Sequence, residues 1–207
     1  MTTKKLATAL VLRCCASDMS STNGFIWPGI GEVAAAPDWK PTNDCGNGLH
    51  GWLYGQGDHS CSDFWHREGA KWLVLEVGEA DIIMLGGKCK FPKATVRFVG
   101  SMADAAAYLI EHEPRAASVA VIGANLRADD GQAATVGSLG TATAGDRGTA
   151  TAGDSGTATA GDRGEIRVRY WDYKNSRYRT VIGYVGEDGI EANVAYRLDD
   201  KHKLVKV

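Results

Sequence analysis

Three copies of one octapeptide stand in unbroken register: residues 140–147 (GTATAGDR), 148–155 (GTATAGDS) and 156–163 (GTATAGDR). A worn copy precedes them at residues 132–139 (QAATVGSL), where Thr135 and Gly137 keep the matching places. A fixed period constrains a fold strongly, because each unit must bury its apolar face against its neighbours. Within an octad, Thr-Ala-Thr-Ala alternates as an extended strand does, with threonines on one face and alanines on the other. The Gly-Asp-Arg-Gly that follows is turn sequence. Two octads thus predict one flattened sixteen-residue coil with a strand on each side, a short β-roll or β-solenoid. An antiparallel meander joined by GDRG hairpin turns fits the same spacing.

An interior of alanine methyls buries little area at roughly 25 cal/mol per Å², whereas ordering each backbone residue costs roughly 1–2 kcal/mol. A few octads cannot stand alone; they need caps or strands from another chain. Flanking caps and a homo-oligomer are the expectation, although Arg147 and Arg163 in the turns would equally keep a monomer's edges soluble. Residues 165–171 (EIRVRYW) alternate, and 177–185 (RYRTVIGYV) answer them across a turn holding Lys174, Asn175 and Ser176. This reads as a β-hairpin whose large apolar residues cap the roll. The runner-up reading takes Arg167, Arg169, Lys174, Arg177 and Arg179 beside Tyr170, Trp171, Tyr173 and Tyr178 as a nucleic-acid surface. The balance of 25 acidic against 23 basic residues speaks against nucleic acid as a partner.

Residues 6–13 read as a strand, and the Gly/Pro-rich stretch 23–47, with Trp27, Pro28, Pro37, Trp39 and Pro41, as ordered loop. Strands are expected at 71–77 (KWLVLEV), 81–85 (DIIML) and 95–99. Ser101 then caps a helix, with Asp104 three residues on, that ends before Pro114. A strand at 119–122 leads into the repeats. The expected organisation is an α+β domain at 1–117, an octapeptide-repeat β-roll at 118–164 and a capping β-hairpin at 165–207. Five cysteines, two of them adjacent at Cys14 and Cys15, do not form a secreted disulfide framework. Lys4 and Lys5 before the apolar run 6–12 imitate a signal peptide, but Arg13 ends the run and no small-residue cleavage site follows. No stretch has the length of a bilayer span. The reading is cytoplasmic, with no membrane partner.

The densest chemistry lies between Cys45 and His66. Cys45, His50, His59 and Cys61 could converge on zinc, although their spacing matches no compact zinc motif. Cys45 or Cys61 with a histidine base would make a nucleophile pair, while the bland reading is buried thiols and surface imidazoles. Thr-x-Thr rows on a flat face resemble those of ice-binding proteins, but three copies give a small surface. Asp146, Asp154 and Asp162 mark the repeat turns; the G-G-x-G-x-D pattern of calcium-binding rolls is absent. No cofactor is expected.

Several segments together carry a resemblance: DCGNGLHGWLYGQGD (44–58), KWLVLEV (71–77), GGKCKFP (86–92), the GTATAGD octads, RYWD (169–172) and YVGEDGIEAN (184–193). In that order they resemble a family of uncharacterised bacterial and phage proteins. In that family an amino-terminal domain of unknown function, with a Cys-x-x-Gly-(Phe/Leu)-His motif, precedes a variable number of Ala/Gly/Thr octads. Here Cys45, Gly48, Leu49 and His50 stand for the motif, with one extra spacing residue. The resemblance implies the architecture and a bacterial or phage setting, and no activity. A second likeness rests on the strand ending at Arg13, the G-L-H followed by Phe64 and Trp65, and LVLEV: it is similar in order to the ADP-ribosyltransferase fold. That likeness implies a cleft with Arg13, His50 and Glu76 facing a nucleotide.

Two functions from different classes follow. The first is a non-enzymatic binding or assembly module, with the octads as spacer or self-association element. The second is an ADP-ribosyltransferase-like nucleotide-binding protein or enzyme. A cleft joining Arg13, His50 and Glu76 favours the second; their separation favours the first.

Overall fold

A computed structural model describes residues 7–207. Lys4 and Lys5, and the first residue of the expected opening strand, lie outside the described residues. The chain divides into two compact units, residues 1–119 and 120–207. None of the described helices is long and apolar enough to cross a membrane.

The amino-terminal unit is built on β1 (Thr8–Cys15), β2 (Val33–Ala35), β3 (Leu49–Leu53), β4 (Lys71–Gly78), β5 (Ile83–Met84), β6 (Cys89–Phe91) and β7 (Lys93–Gly100). They form one sheet in the order β2-β7-β4-β1-β3-β6-β5, with every pairing antiparallel. Apolar residues run almost continuously through β1 and β4 because both faces of these central strands are covered. On one face Val11, Leu73, Leu75, Val77 and Val96 pack with Trp27, Leu49 and Phe91. Helix α1 (Met102–His112) buries Ala105, Ala106 and Leu109 and packs on β1, β4 and β7. Its start follows the sequence expectation: the Ser101 hydroxyl accepts from the Asp104 amide at 3.2 Å and donates to the Asp104 carboxylate at 2.6 Å. Gly51 is obligatory for close approach, since a Cβ there would lie 2.7 Å from the Leu12 carbonyl oxygen.

The carboxy-terminal unit contains β8 (Asn125–Ala128), β9 (Ala133–Thr135), β10 (Thr141–Ala144), β11 (Thr149–Ala152), β12 (Thr157–Ala160), β13 (Glu165–Asp172), β14 (Arg177–Tyr184), β15 (Tyr196–Leu198) and β16 (Leu204–Lys206). Successive octads alternate between two sheets, of order β16-β15-β12-β10-β8 and β14-β13-β11-β9. Each octad strand pairs in parallel, in register, with the strand sixteen residues away, as Ala142 with Ala158 and Thr149 with Glu165. The alanines are buried and the threonines half-exposed, as the two-residue period requires. The Asp130 carboxylate accepts from the Asp146 amide at 2.9 Å, and that of Asp146 from the Asp162 amide at 2.8 Å.

These observations correct the expected α+β domain followed by a β-roll or β-solenoid under a capping hairpin. The chain is predominantly β, with three sheets and one α-helix among the described residues. The connections of the amino-terminal unit are Gly/Pro-rich loops and short 3-10 turns, so α1 is the single helix of regular length. In the second unit the octads are shared between two mixed sheets that continue beyond them into antiparallel strands. The hairpin β13–β14 does not plug an end. Ile166 and Val168 take the inward register of Ala150 and Ala152, so β13 joins its sheet as the next rung. No strand forms at 119–122 either: the 3-10 turn Pro114–Ser118 precedes it, and Gly123 turns the chain at a φ of 70°.

Candidate functional site

One cavity of about 550 Å³ opens in the amino-terminal unit, a size that suits a small-molecule ligand. Strand β1 places Arg13 on its wall and β3 places His50. The loop after β1 adds Ser21, Phe25 and Trp27, and the loop after β2 adds Cys45 and its neighbours. Alternation along β1 puts Arg13 on the side of Val11 and Cys15, opposite Leu12 and Cys14. Arg13 is 9 % exposed. Its Nη2 donates to Ser21 Oγ at 3.0 Å and its Nη1 to the His50 carbonyl at 3.4 Å, and it lies 5.8 Å from the Trp27 ring centre. Burial lowers its pKa from the usual arginine value.

His50 is held as a neutral imidazole. Burial first, then the positive charges of Lys88, Arg13 and Lys90, push its pKa down to about 4. Among the described residues, three buried side-chain nitrogens have no hydrogen-bond partner: Arg13 Nε, Trp27 Nε1 and His50 Nε2. All three belong to residues of this wall.

Of the expected ligand-binding set, Arg13 and His50 come together and Glu76 does not. Glu76 lies off the cavity wall, on β4, accepting from Arg97 Nε at 2.8 Å. Of the expected zinc set, Cys45, His50 and Cys61 line the cavity, while buried His59 packs edge-on against Trp65 at 4.8 Å. Among the described residues no three His, Cys, Asp or Glu side chains are grouped to hold a metal ion. The thiol of Cys61 is pushed up, by burial and then by Asp58. Buried Cys14, Cys15 and Cys89 are pushed up to about 12, 11 and 12 by the same burial, and all five cysteines are free. The turn aspartates separate: Asp146 and Asp162 share the ladder with Asp130, and Asp154 stands outside it.

Sequence reasoning missed Trp27 and Lys90. Lys90 is fully buried on β6, opposite His50, and its Nζ donates to the carbonyls of Asp44 at 2.8 Å and Gly46 at 3.3 Å and to Thr42 Oγ1 at 3.4 Å. It fastens the loop that carries Cys45 to the cavity wall. The available signal was a lysine between Cys89 and Phe91 in a short apolar strand.

Fold and cavity define a β-rich protein with a pocket of mixed polar and aromatic lining in one unit and a repeat-built unit after it. Residues 9–111 match a family model described as a domain of unknown function, DUF7666. About half of the chain is also similar to ice nucleation proteins. That of Pseudomonas fluorescens is 40% identical over 105 residues, 50% of this chain and 8% of that protein. That of Xanthomonas campestris pv. translucens is 39% identical over 107 residues, 51% and 7%. One from Pseudomonas syringae is 40% identical over 112 residues, 53% and 10%. The chain thus spans about a tenth or less of the length of these relatives. No solved structure matches it. Neither match speaks to the Cys45–His50 motif or to an ADP-ribosyltransferase relationship.

Proposed function

We propose that this chain is a non-enzymatic assembly module, in which the carboxy-terminal unit joins copies of the protein. Homology to ice nucleation proteins suggests a structural or assembly role without catalysis. The observation that carries the proposal is β14. Among the described residues this eight-residue strand pairs only with β13, and it sets Tyr178, Ile182 and Tyr184 on one face, each at least 40% exposed. A long outer strand with β-prone side chains and unpaired main chain is a template for another strand. The separation of Glu76 from Arg13 and His50 counts against the ADP-ribosyltransferase-like alternative.

Sedimentation velocity across the micromolar range tests the proposal, on the wild type and on Ile182→Lys with Tyr184→Lys. A wild-type dimer or larger species that the double variant reduces to monomer is expected. A wild-type monomer throughout would sink the assembly reading.

The outward threonines favour a second reading. Thr141 and Thr157 are in register with Asn125, and Thr143 and Thr159 with Arg127, on one sheet; Thr135 and Thr151 are in register with Arg167 on the other. The rungs repeat every ~4.8 Å and threonines within a strand stand ~6.8 Å apart. In this reading the rows order water as an ice-facing surface, which assembly enlarges. Droplet-freezing temperature checks it: Thr143→Lys with Thr159→Lys lowers it toward buffer, and identical curves for wild type and buffer refute it.

A further inference from the structure

The cavity of the amino-terminal unit holds a buried positive charge, Arg13, that forms no ion pair among the described residues. We propose that it binds a small organic anion, a carboxylate or phosphate monoester on an aromatic body, with the anionic group against the Arg13 guanidinium. This goes beyond the assembly reading and rests on a different unit.

Arg13 has only neutral oxygens, those of Ser21 and His50, and among the described residues no carboxylate lies within ion-pair distance of it. A guanidinium taken out of water without an opposite charge is costly, and its planar fork of donors matches a carboxylate or phosphate. The three unpartnered nitrogens on the same wall add hydrogen-bonding capacity that the protein leaves unused. They are shielded from solvent, so a ligand must displace wall atoms to reach them.

The surrounding charges agree. Half-buried Lys88 stands on the wall, and buried Lys90 lies on the strand beside His50. The acids of the wall, Asp38 and Asp63, are exposed, where solvent and salt screen them. His50 stays neutral at pH 7, so its imidazole offers a hydrogen bond without a charge of its own. Phe25, Trp27 and Phe64 supply aromatic surface for the body of the ligand. Lys90 holds the loop that carries Cys45 and Gly46 of the wall through the carbonyls of Asp44 and Gly46.

Isothermal titration of the full chain with benzoate, phenyl phosphate, benzyl alcohol and benzylamine tests the inference. At least one anion should bind about tenfold more tightly than benzyl alcohol. Benzoate alone would assign a carboxylate ligand, phenyl phosphate alone a phosphate, and both the shared anionic chemistry. Arg13→Gln should abolish saturable binding. Because that residue is buried, Lys88→Gln serves as the second variant and should weaken binding several-fold with an unchanged circular dichroism spectrum. Equal binding of benzyl alcohol, preference for benzylamine, undiminished binding in both variants, or no saturation by either anion at ~10 mM would each overturn the proposal.

Discussion

The Arg13 guanidinium on β1 donates to the main-chain carbonyl of His50 on β3 at 3.4 Å. A buried cation and a neutral imidazole are thereby set on one wall by strands that are neighbours in the sheet and 37 residues apart in the chain. The two respond differently to perturbation.

For His50 the response is to pH. Its native pKa, about 4, lies below the ordinary 6.5. Between those values the unfolded chain binds the extra proton and the native protein does not, so stability contributed by the neutral imidazole is complete above pH 6.5 and is lost as pH falls toward 4. Urea unfolding at pH 7 and pH 5 should show a smaller loss for His50→Gln than for wild type. An equal loss in both would show that His50 carries none of it.

Buried charge is resolved in two ways in this unit. Glu113, 3% exposed, accepts from the Leu10 amide at 3.0 Å and from Arg115 at 2.6 and 2.8 Å. Burial alone would raise its pKa, but these bonds bring it below the usual carboxylate value. Glu113→Ala should cost about 2 kcal/mol, because it strands the buried Leu10 amide, while half-exposed Arg115 keeps Glu79 and the Thr8 carbonyl. Arg13→Met, which removes an unpaired charge and keeps most of the volume, should change stability by less than about 1 kcal/mol in either direction. Denaturant midpoints at constant slope measure both.

Lys90→Met should cost about 2 kcal/mol, since two carbonyls and a hydroxyl lose a charged donor. The loss should be local. Limited proteolysis is expected to cut at residues 42–46 faster than in wild type, and an unchanged cleavage pattern would argue that Lys90 does not hold this loop.

The octad turns predict opposite effects of two small substitutions. A Cβ on Gly153 would lie 2.5 Å from the Gly137 carbonyl carbon of the turn beneath it, so Gly153→Ala should cost more than about 3 kcal/mol. Arg147 sits at a φ of 58°, a left-handed conformation that side chains disfavour. Arg147→Gly should therefore raise stability by about 0.5–1 kcal/mol. Thermal unfolding of the two variants gives the signs directly.

Where the chemistry is local, the sequence by itself determined the outcome. Thr-Ala alternation is enough to put Ala142, Ala150 and Ala158 inside and their threonines outside. Ser101 with Asp104 starts α1, and Glu113 before Pro114 ends it, because capping and proline geometry act within one turn. Only the tertiary structure decided what depends on pairing across the chain. An octad's own residues fit parallel pairing sixteen residues on and an antiparallel meander alike, and they do not say that Ile166 would follow Ala150 as a further rung instead of closing the stack. Glu76 reads like Arg13 and His50 as a cleft residue, yet the register of β4 with β7 commits it to Arg97, while Lys90 is drawn inward to three oxygens of a distant loop. Main-chain hydrogen bonds between strands depend little on which side chains they carry, so register is set by the sum of many burial and contact energies and not by any motif.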